Sequence, residues 1–192
     1  QKYIKNKVIV VYPPIKNFKS KNTNYKKFFL SNSRHEVEKN IDKVIKAFNC
    51  INNYSLLITS QGSQTIKLKN LSLNNKKIKF LGMINEKKYK KLLNECMGTI
   101  NVTSNEDLGA SAIEGMTAGK PAFVINEGGY KETCKNNYNS FFINKNNIEK
   151  DLIKKINNFD KKKLKQMKNN CIETGKKFSQ KKFFNEIEKL FI

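Results

Sequence analysis

The stretch Ser104–Gly119, SNEDLGASAIEGMTAG, decides how this chain folds. Thr99 to Val102 leads into it and reads as a strand. Polar residues and Gly109 then form a loop. Ala112, Ile113, Met116 and Ala118 predict a short, tightly packed helix. Strand, glycine loop and helix together offer bare N–H groups and the positive end of a helix dipole to an anion. Two carboxylates, Glu106 and Glu114, bracket the turn. A helix start suits phosphate, whereas carboxylates repel it. The pair therefore predicts a ligand that is anionic at one point and rich in hydroxyls at another, as a sugar nucleotide is. The plainer alternative is a generic Rossmann turn carrying two solvated acids.

Outward from this stretch, strand and helix signals alternate. Val8–Tyr12 is a β-branched run stopped by Pro13 and Pro14, which form a rigid extended break. Residues 16–26 are polar and predict a mobile loop. Strands are expected at Lys27–Ser31, Ser55–Thr59, Lys77–Leu81, Pro121–Ile125 and Phe141–Ile143. A helix is expected to present Val37, Ile41, Val44, Ile45 and Phe48 on one face. Another covers Glu86–Cys96, with Tyr89, Leu92 and Leu93 mostly in the core. From Asn147 onward the pattern is helical, and Ser179 suits the cap of the last helix. Such alternation predicts an α/β fold: a Rossmann-like, doubly wound parallel sheet with helices on both faces. Its ligand is expected at the carboxyl ends of the strands.

The chain has 192 residues, the size of one domain, and is long enough for a good core. Its formal charge of +22 suggests a polyanion partner. The lysines are spread evenly rather than clustered, and the chain is rich in asparagine as well, as an AT-rich genome produces. No specific nucleic acid is therefore expected. A weak, salt-sensitive attraction to nucleotide or to an anionic membrane surface is. Cys50, Cys96, Cys134 and Cys171 are far apart, so no zinc site or disulfide framework is read, and a cytoplasmic setting fits them. No run approaches a membrane span. The chain opens at Gln1 rather than Met, which reads as a piece of something longer.

Glu106 and Glu114 stand in a Glu-x7-Glu arrangement within EDLGASAIEGMTAGKP, and NEGGYKET follows at residues 126–133. This resembles the donor-binding half of a retaining glycosyltransferase with the two-lobed GT-B fold, of the group 1 or family 4 type. That large group includes glycogen synthase and many lipopolysaccharide and lipid-linked mannosyltransferases. Arg34 and Lys39 match the basic pair that follows the first donor-lobe strand in that family. The resemblance implies that this pair grips the donor diphosphate. Arg34 is the only arginine among 38 basic residues. A guanidinium binds phosphate bidentately, whereas lysine is a point charge. Ser33 replaces the family's usual glycine.

The resemblance further implies that Glu114 accepts hydrogen bonds from two ribose hydroxyls and that Glu106 holds hydroxyls of the transferred sugar. Amides near Gly109, Ala110 and Ser111 face phosphate and sugar. Gly62 lies close to the phosphates, and Ile84 lies against the base. Arg34, Lys39 and Glu106 are thus the expected catalytic residues, with Glu114, Gly109, Ala110, Ser111, Ile84 and Gly62 binding the donor. No metal is expected, since no Asp-x-Asp cluster occurs and the basic pair can neutralise the leaving group. The donor is a nucleoside-diphosphate sugar and no further cofactor is implied. His35, the only histidine, fits a loop or helix start better than acid/base chemistry. The implied organisation is one donor-binding domain over residues 1–192. Residues 1–26 form a hinge-proximal strand and loop, residues 179–192 a closing C-terminal helix, and the acceptor lobe is absent from this chain.

Two rivals follow from the same residues. One is a non-catalytic module that binds nucleotide or polyanion. The other is a different Rossmann enzyme. Against the second, neither Gly-x-Gly-x-x-Gly nor Gly-x4-Gly-Lys-Ser/Thr occurs. Leu108, Ala112, Gly115 and Thr117 depart from the family's usual residues, but they leave the acid spacing intact.

Overall fold

The structure is a computed structural model and describes residues 8–19 and 24–191. Six strands form one sheet: β1 (Phe28–Ser31), β2 (Ser55–Thr59), β3 (Ile78–Gly82), β4 (Gly98–Asn101), β5 (Ala122–Ile125) and β6 (Ser140–Ile143). Their spatial order is β3-β2-β1-β4-β5-β6 and all pairings are parallel. The helices are α1 (Ile41–Cys50), α2 (Thr65–Ser72), α3 (Glu86–Glu95), α4 (Ala110–Thr117), α5 (Tyr130–Thr133), α6 (Ile148–Asn157), α7 (Lys161–Lys176) and α8 (Gln180–Glu188). This is the doubly wound, Rossmann-like arrangement expected from the alternation of strand and helix signals. Chain order reverses between β1 and β4, which opens a crevice at their carboxyl ends.

The period of two along each strand feeds two separate cores. In β1, Phe29 joins the larger cluster, while Phe28 and Leu30 join the smaller one. In β2, Leu56 and Ile58 belong to the larger cluster and Leu57 packs on the smaller. All residues of β1, β4 and β5 are buried, as expected for a parallel sheet covered on both faces. Phe29 lies at the centre, with the rings of Tyr54, Phe123 and Phe48 at 5.2, 5.3 and 6.1 Å. The smaller cluster joins Phe28 and Leu30 to Leu93 of α3, Ala118 and Phe18.

Lys120 is buried between the layers. Its Nζ donates to the Asn94 carbonyl at 2.9 Å and lies 4.0 Å from the Tyr25 ring centroid. Burial pushes its pKa down to about 8.

Two expectations change, and one helix was not foreseen. Val8–Tyr12 is not a strand. The segment crosses the C-terminal helices instead, and Ile15 N–H donates to the Phe178 carbonyl at 2.7 Å. Pro13 and Pro14 lack the donors that would continue a ladder. Val37 does not share the α1 face and is 71% exposed. A 3-10 turn at Val37–Lys39 ends at Asn40, with φ 52° and ψ 30°, and the helix restarts at Ile41 in a new phase. Asparagine tolerates this left-handed conformation. Helix α2 carried no clear periodic signal, because Ile66 and Leu73 are exposed while only Leu68 and Ser72 are buried in it.

The Ser179 side chain caps α8 by accepting from Lys182 N–H at 3.3 Å. Residues 20–23, in the middle of the loop expected at 16–26, lie outside the described residues, as do residues 1–7 of the expected hinge and Ile192 of the closing segment.

Candidate functional site

The crevice between β1 and β4 holds the site. Two loops meet there, one after each strand. Asn40 ties them together: its side-chain amide donates to the Val102 carbonyl at 2.9 Å and to Ser104 Oγ at 3.1 Å. Ser104 N–H returns a bond to the Glu38 carbonyl at 2.9 Å. The left-handed residue that broke the helix pattern thus fixes Lys39 beside Glu106.

The β4–α4 loop is held from its other side by the turn Glu127-Gly128-Gly129. Gly129 N–H donates to the Glu106 carbonyl at 2.7 Å. A Cβ at Gly129 would run into the Asp107 carbonyl oxygen, so only glycine permits this approach. Glu127 Oε1 accepts from Asn105 N–H at 3.1 Å, and its other oxygen pairs with Lys145 at 2.6 Å. These contacts push the Glu127 pKa down, the Lys145 hydrogen bond most of all. Gly109 closes the loop at φ 79°, and a Cβ there would lie 2.6 Å from Tyr130 Cε1. The first N–H groups of α4, at Ala110 and Ser111, have no acceptor inside the helix and face the crevice with the dipole behind them.

A cleft of about 150 Å³ brings together Arg34, Lys39, Glu106, Gly109, Ala110 and Ser111. Lys39 Nζ lies 3.3 Å from Glu106 Oε2, and about a fifth of each side chain is exposed (18% and 23%). Arg34 is exposed and its side chain makes no ion pair among the described residues. A second, adjoining cleft of about 370 Å³ is lined by Ile84, Glu114, Tyr89 and Asn32, with Met83 at its mouth. Glu114 is partly buried, which raises its pKa above the ordinary 4.5, and the Tyr89 hydroxyl opposes that shift. Two larger concavities, of about 670 and 680 Å³, lie beside β6 and α6 and beneath the 8–12 segment. Neither gathers these residues.

Gly62 lines neither cleft. It stands behind the Arg34 loop, where a Cβ would lie 2.7 Å from the His35 carbonyl oxygen. His35 sits in that loop as expected, but buried. Nδ1 lies 2.9 Å from Thr65 Oγ1 and Nε2 lies 3.2 Å from the Thr59 carbonyl oxygen. Burial lowers its pKa, so the ring is neutral near pH 7. It stitches the β1 loop to the end of β2.

Sequence reasoning missed three contributors. Tyr89 was read as core, yet its hydroxyl donates to Glu114 Oε2 at 2.7 Å. Asn32 donates to the Tyr89 oxygen, and Asn101 Nδ2 donates to Asn32 Oδ1 at 2.9 Å. The available signal was a polar asparagine ending each of two apolar strands. Among the described residues no group of three or more His, Cys, Asp or Glu could hold a metal ion. No helix among them is long and apolar enough to cross a membrane.

The sequence pattern of the family described as "Glycosyl transferases group 1" matches residues 14–178. The chain belongs to this family. Among curated relatives of the family, the chain is 31% identical over 144 residues to the alpha-1,3/1,6-mannosyltransferase ALG2 of Dictyostelium discoideum, covering 62% of this chain and 34% of that protein. Among solved structures it resembles Anabaena HepE in complex with UDP and glucose, with a TM-score of 0.76 and 18% identity, covering 88% of this chain and 48% of that one. It also resembles the pneumococcal O-GlcNAc transferase GtfA in complex with UDP and GlcNAc, with a TM-score of 0.81 and 16% identity, covering 98% of this chain and 40% of that one. The chain therefore spans about a third to a half of the relatives it matches, which corresponds to one Rossmann-like lobe of a GT-B fold.

Proposed function

We propose that this chain is the donor-binding lobe of a retaining, metal-independent glycosyltransferase. It would serve transfer of a hexose from a nucleoside-diphosphate sugar to a glycan or lipid-linked acceptor. One observation carries the reading. At the switch point of a family lobe, two cations, a carboxylate and a helix start share one cleft, and a second carboxylate lies in the next. That spacing of unlike subsites suits diphosphate flanked by two sugars.

In this reading the diphosphate lies against Arg34, Lys39 and the amides of Ala110 and Ser111. Arg34 can engage it bidentately. Lys39, held by Glu106 in the free lobe, turns to the phosphates as the donor enters. Glu106 is then released to accept hydroxyls of the transferred sugar. As the anomeric carbon–oxygen bond breaks, negative charge grows on the leaving diphosphate, and the two fixed cations stabilise it. Glu114 receives the ribose hydroxyls and Ile84 lies beside the base. Gly62 acts behind the phosphate site by shaping the Arg34 loop.

The complexes of HepE and GtfA with UDP make a nucleoside diphosphate the natural first ligand to try. The chemistry of a two-lobed transferase takes place between lobes, so residues 1–26 and 179–192 would face the acceptor lobe as hinge and closing helix. This lobe alone is expected to bind donor and transfer little. The +22 charge adds a weak attraction to anionic membrane surfaces, which with the scattered thiols fits a cytoplasmic, membrane-peripheral setting.

The test is calorimetric titration of UDP, GDP, ADP and CMP into this domain, beside Glu114→Ala and a heparin control. Selective binding of one diphosphate, weakened by about tenfold in the variant, is the expected result. Equal binding of every polyanion, abolished by salt and indifferent to the variant, would replace this reading with a non-catalytic polyanion-binding module.

A further inference from the structure

We infer that Tyr89 is a positioning residue for Glu114, held in register by Asn32 and Asn101, so that the carboxylate meets the two hydroxyls of a ribose. The inference rests on the reading of Glu114 above and extends it to residues outside that reading.

Strand geometry brings the participants together. Leu30 pairs with Thr99 across β1 and β4, so two residues further on Asn32 stands opposite Asn101. Phe28, Leu30 and Asn32 share one face of the sheet by the period of two, and Phe28 and Leu30 pack with Leu93 of α3. Tyr89 comes from the same helix. Its ring packs edge-on against Phe18 with centroids 5.1 Å apart, and its hydroxyl emerges in the cleft that Glu114 lines.

The direction of the bonds follows from the carboxylate. Ionised Glu114 can only accept, so the Tyr89 hydroxyl must donate to Oε2. The Tyr89 oxygen then accepts from Asn32 Nδ2, which turns Asn32 Oδ1 towards Asn101 Nδ2. Every donor in the series points to Glu114, and such chains reinforce one another. Tyr89 keeps its proton, because burial and the Glu114 charge both raise its pKa. The Glu114 side chain is left with Oε1 and one lone pair of Oε2 for a diol. At the far end Asn101 Oδ1 is buried without a partner among the described residues. The groups facing Glu114 are few. Tyr89 comes from α3, and Glu86 at the start of that helix lines the same cleft while paired with Lys16. Thr117 donates to the Glu114 carbonyl at 2.7 Å rather than to its side chain.

A tyrosine that merely filled space would do so equally well as phenylalanine. The experiment therefore measures binding of UDP, GDP and ADP and of their 2′-deoxy forms, from pH 4.5 to 8, in the unaltered chain and in Tyr89→Phe. The unaltered chain should prefer one ribonucleotide to its deoxy form. Tyr89→Phe should weaken that ribonucleotide by about tenfold, weaken the deoxy form less, and move the acid loss of binding to higher pH. The upward move follows because the hydroxyl stabilises ionised Glu114. Asn32→Ala, which keeps the whole tyrosine, should shift the same quantities in the same direction by less, and it serves as the test if the phenylalanine variant does not fold. If the unaltered chain binds ribo and deoxy forms equally, the assignment of Glu114 to ribose fails and this inference falls with it. If it discriminates, but neither variant changes the preference or the pH midpoint, Tyr89 is a packing residue and the inference alone is overturned.

Discussion

Glu106 and Glu114 belong to one motif yet meet opposite surroundings. Glu106 sits in a loop whose path is set by backbone contacts, and it is balanced by a cation 3.3 Å away. Glu114 sits on a helix facing α3, with no cation as partner among the described residues, and a neutral hydroxyl is its hydrogen-bond donor at 2.7 Å. The first environment is an ion pair that a stronger anion can break. The second keeps a carboxylate directional at some cost to its ionised form, which suits neutral hydroxyls. Equal residue types eight positions apart thus meet two different electrostatic settings, because loop and helix aim them into different clefts.

The contrast can be broken most severely at Gly129. Gly129→Ala forces a methyl group into the Asp107 carbonyl and should lower stability by about 1–3 kcal/mol, read from urea unfolding. It should also displace Glu106 while leaving Glu114 in place, so nucleotide diphosphate binding weakens more than binding of the bare nucleoside. An unchanged unfolding midpoint would show that the loop is looser than its contacts imply.

Glu114→Gln sharpens the comparison from the other side. The folded-state pKa of Glu114 is raised, so its favourable contribution exists below the ordinary carboxylate pKa and is lost as pH rises through the folded value. At pH 7 the ionised, partly buried group therefore weakens the fold. The neutral variant should be more stable there by about 0.5–1 kcal/mol while binding ribonucleotide less well. The same exchange at Glu106 removes the partner of Lys39 and should not stabilise. A thermal melt of both variants at pH 7 and at pH 4 distinguishes them.

The smallest effect concerns His35, which supports the Arg34 loop from behind. Its folded pKa lies below the ordinary 6.5, so its stabilising contribution is present above pH 6.5 and is lost as pH falls through the folded value. Stability should decline by less than about 1 kcal/mol between pH 7 and pH 5.5, and His35→Gln should flatten that slope. A slope that survives the substitution would assign the acid sensitivity to other groups.

Much of the fold was legible because it rests on local rules. The runs at residues 28–31, 55–59 and 122–125 end at polar residues, and a doubly wound sheet is what such alternation builds. Val37 was misplaced because one left-handed asparagine resets a helix without leaving a hydrophobic signature. Val8–Tyr12 has strand composition, but a strand also needs a neighbour, and its contacts are with Phe178 and Glu132 instead.

At the site, the resemblance to the family pointed to Arg34, Lys39, Glu106 and the start of α4, and the folded chain brings them into one cleft. Tyr89 was hidden, because a tyrosine at a core position of a helix looks like packing until its hydroxyl finds a partner. Gly62 lines neither cleft and stands behind the Arg34 loop, a position that only the folded chain reveals.

The sequence by itself determined which residues could carry charge, hydroxyl recognition and tight turns, since spacing along one strand, loop and helix is a local property. Only the tertiary structure decided that Asn40 ties Lys39 to Glu106, that Gly129 braces the same loop, and that Tyr89 answers Glu114. Those contacts join segments separated by 22 to 67 residues, counting from Gly129–Asp107 to Lys39–Glu106. Pairings over such distances are selected by the packing of the whole sheet, as where the register of β1 and β4 sets Asn32 against Asn101.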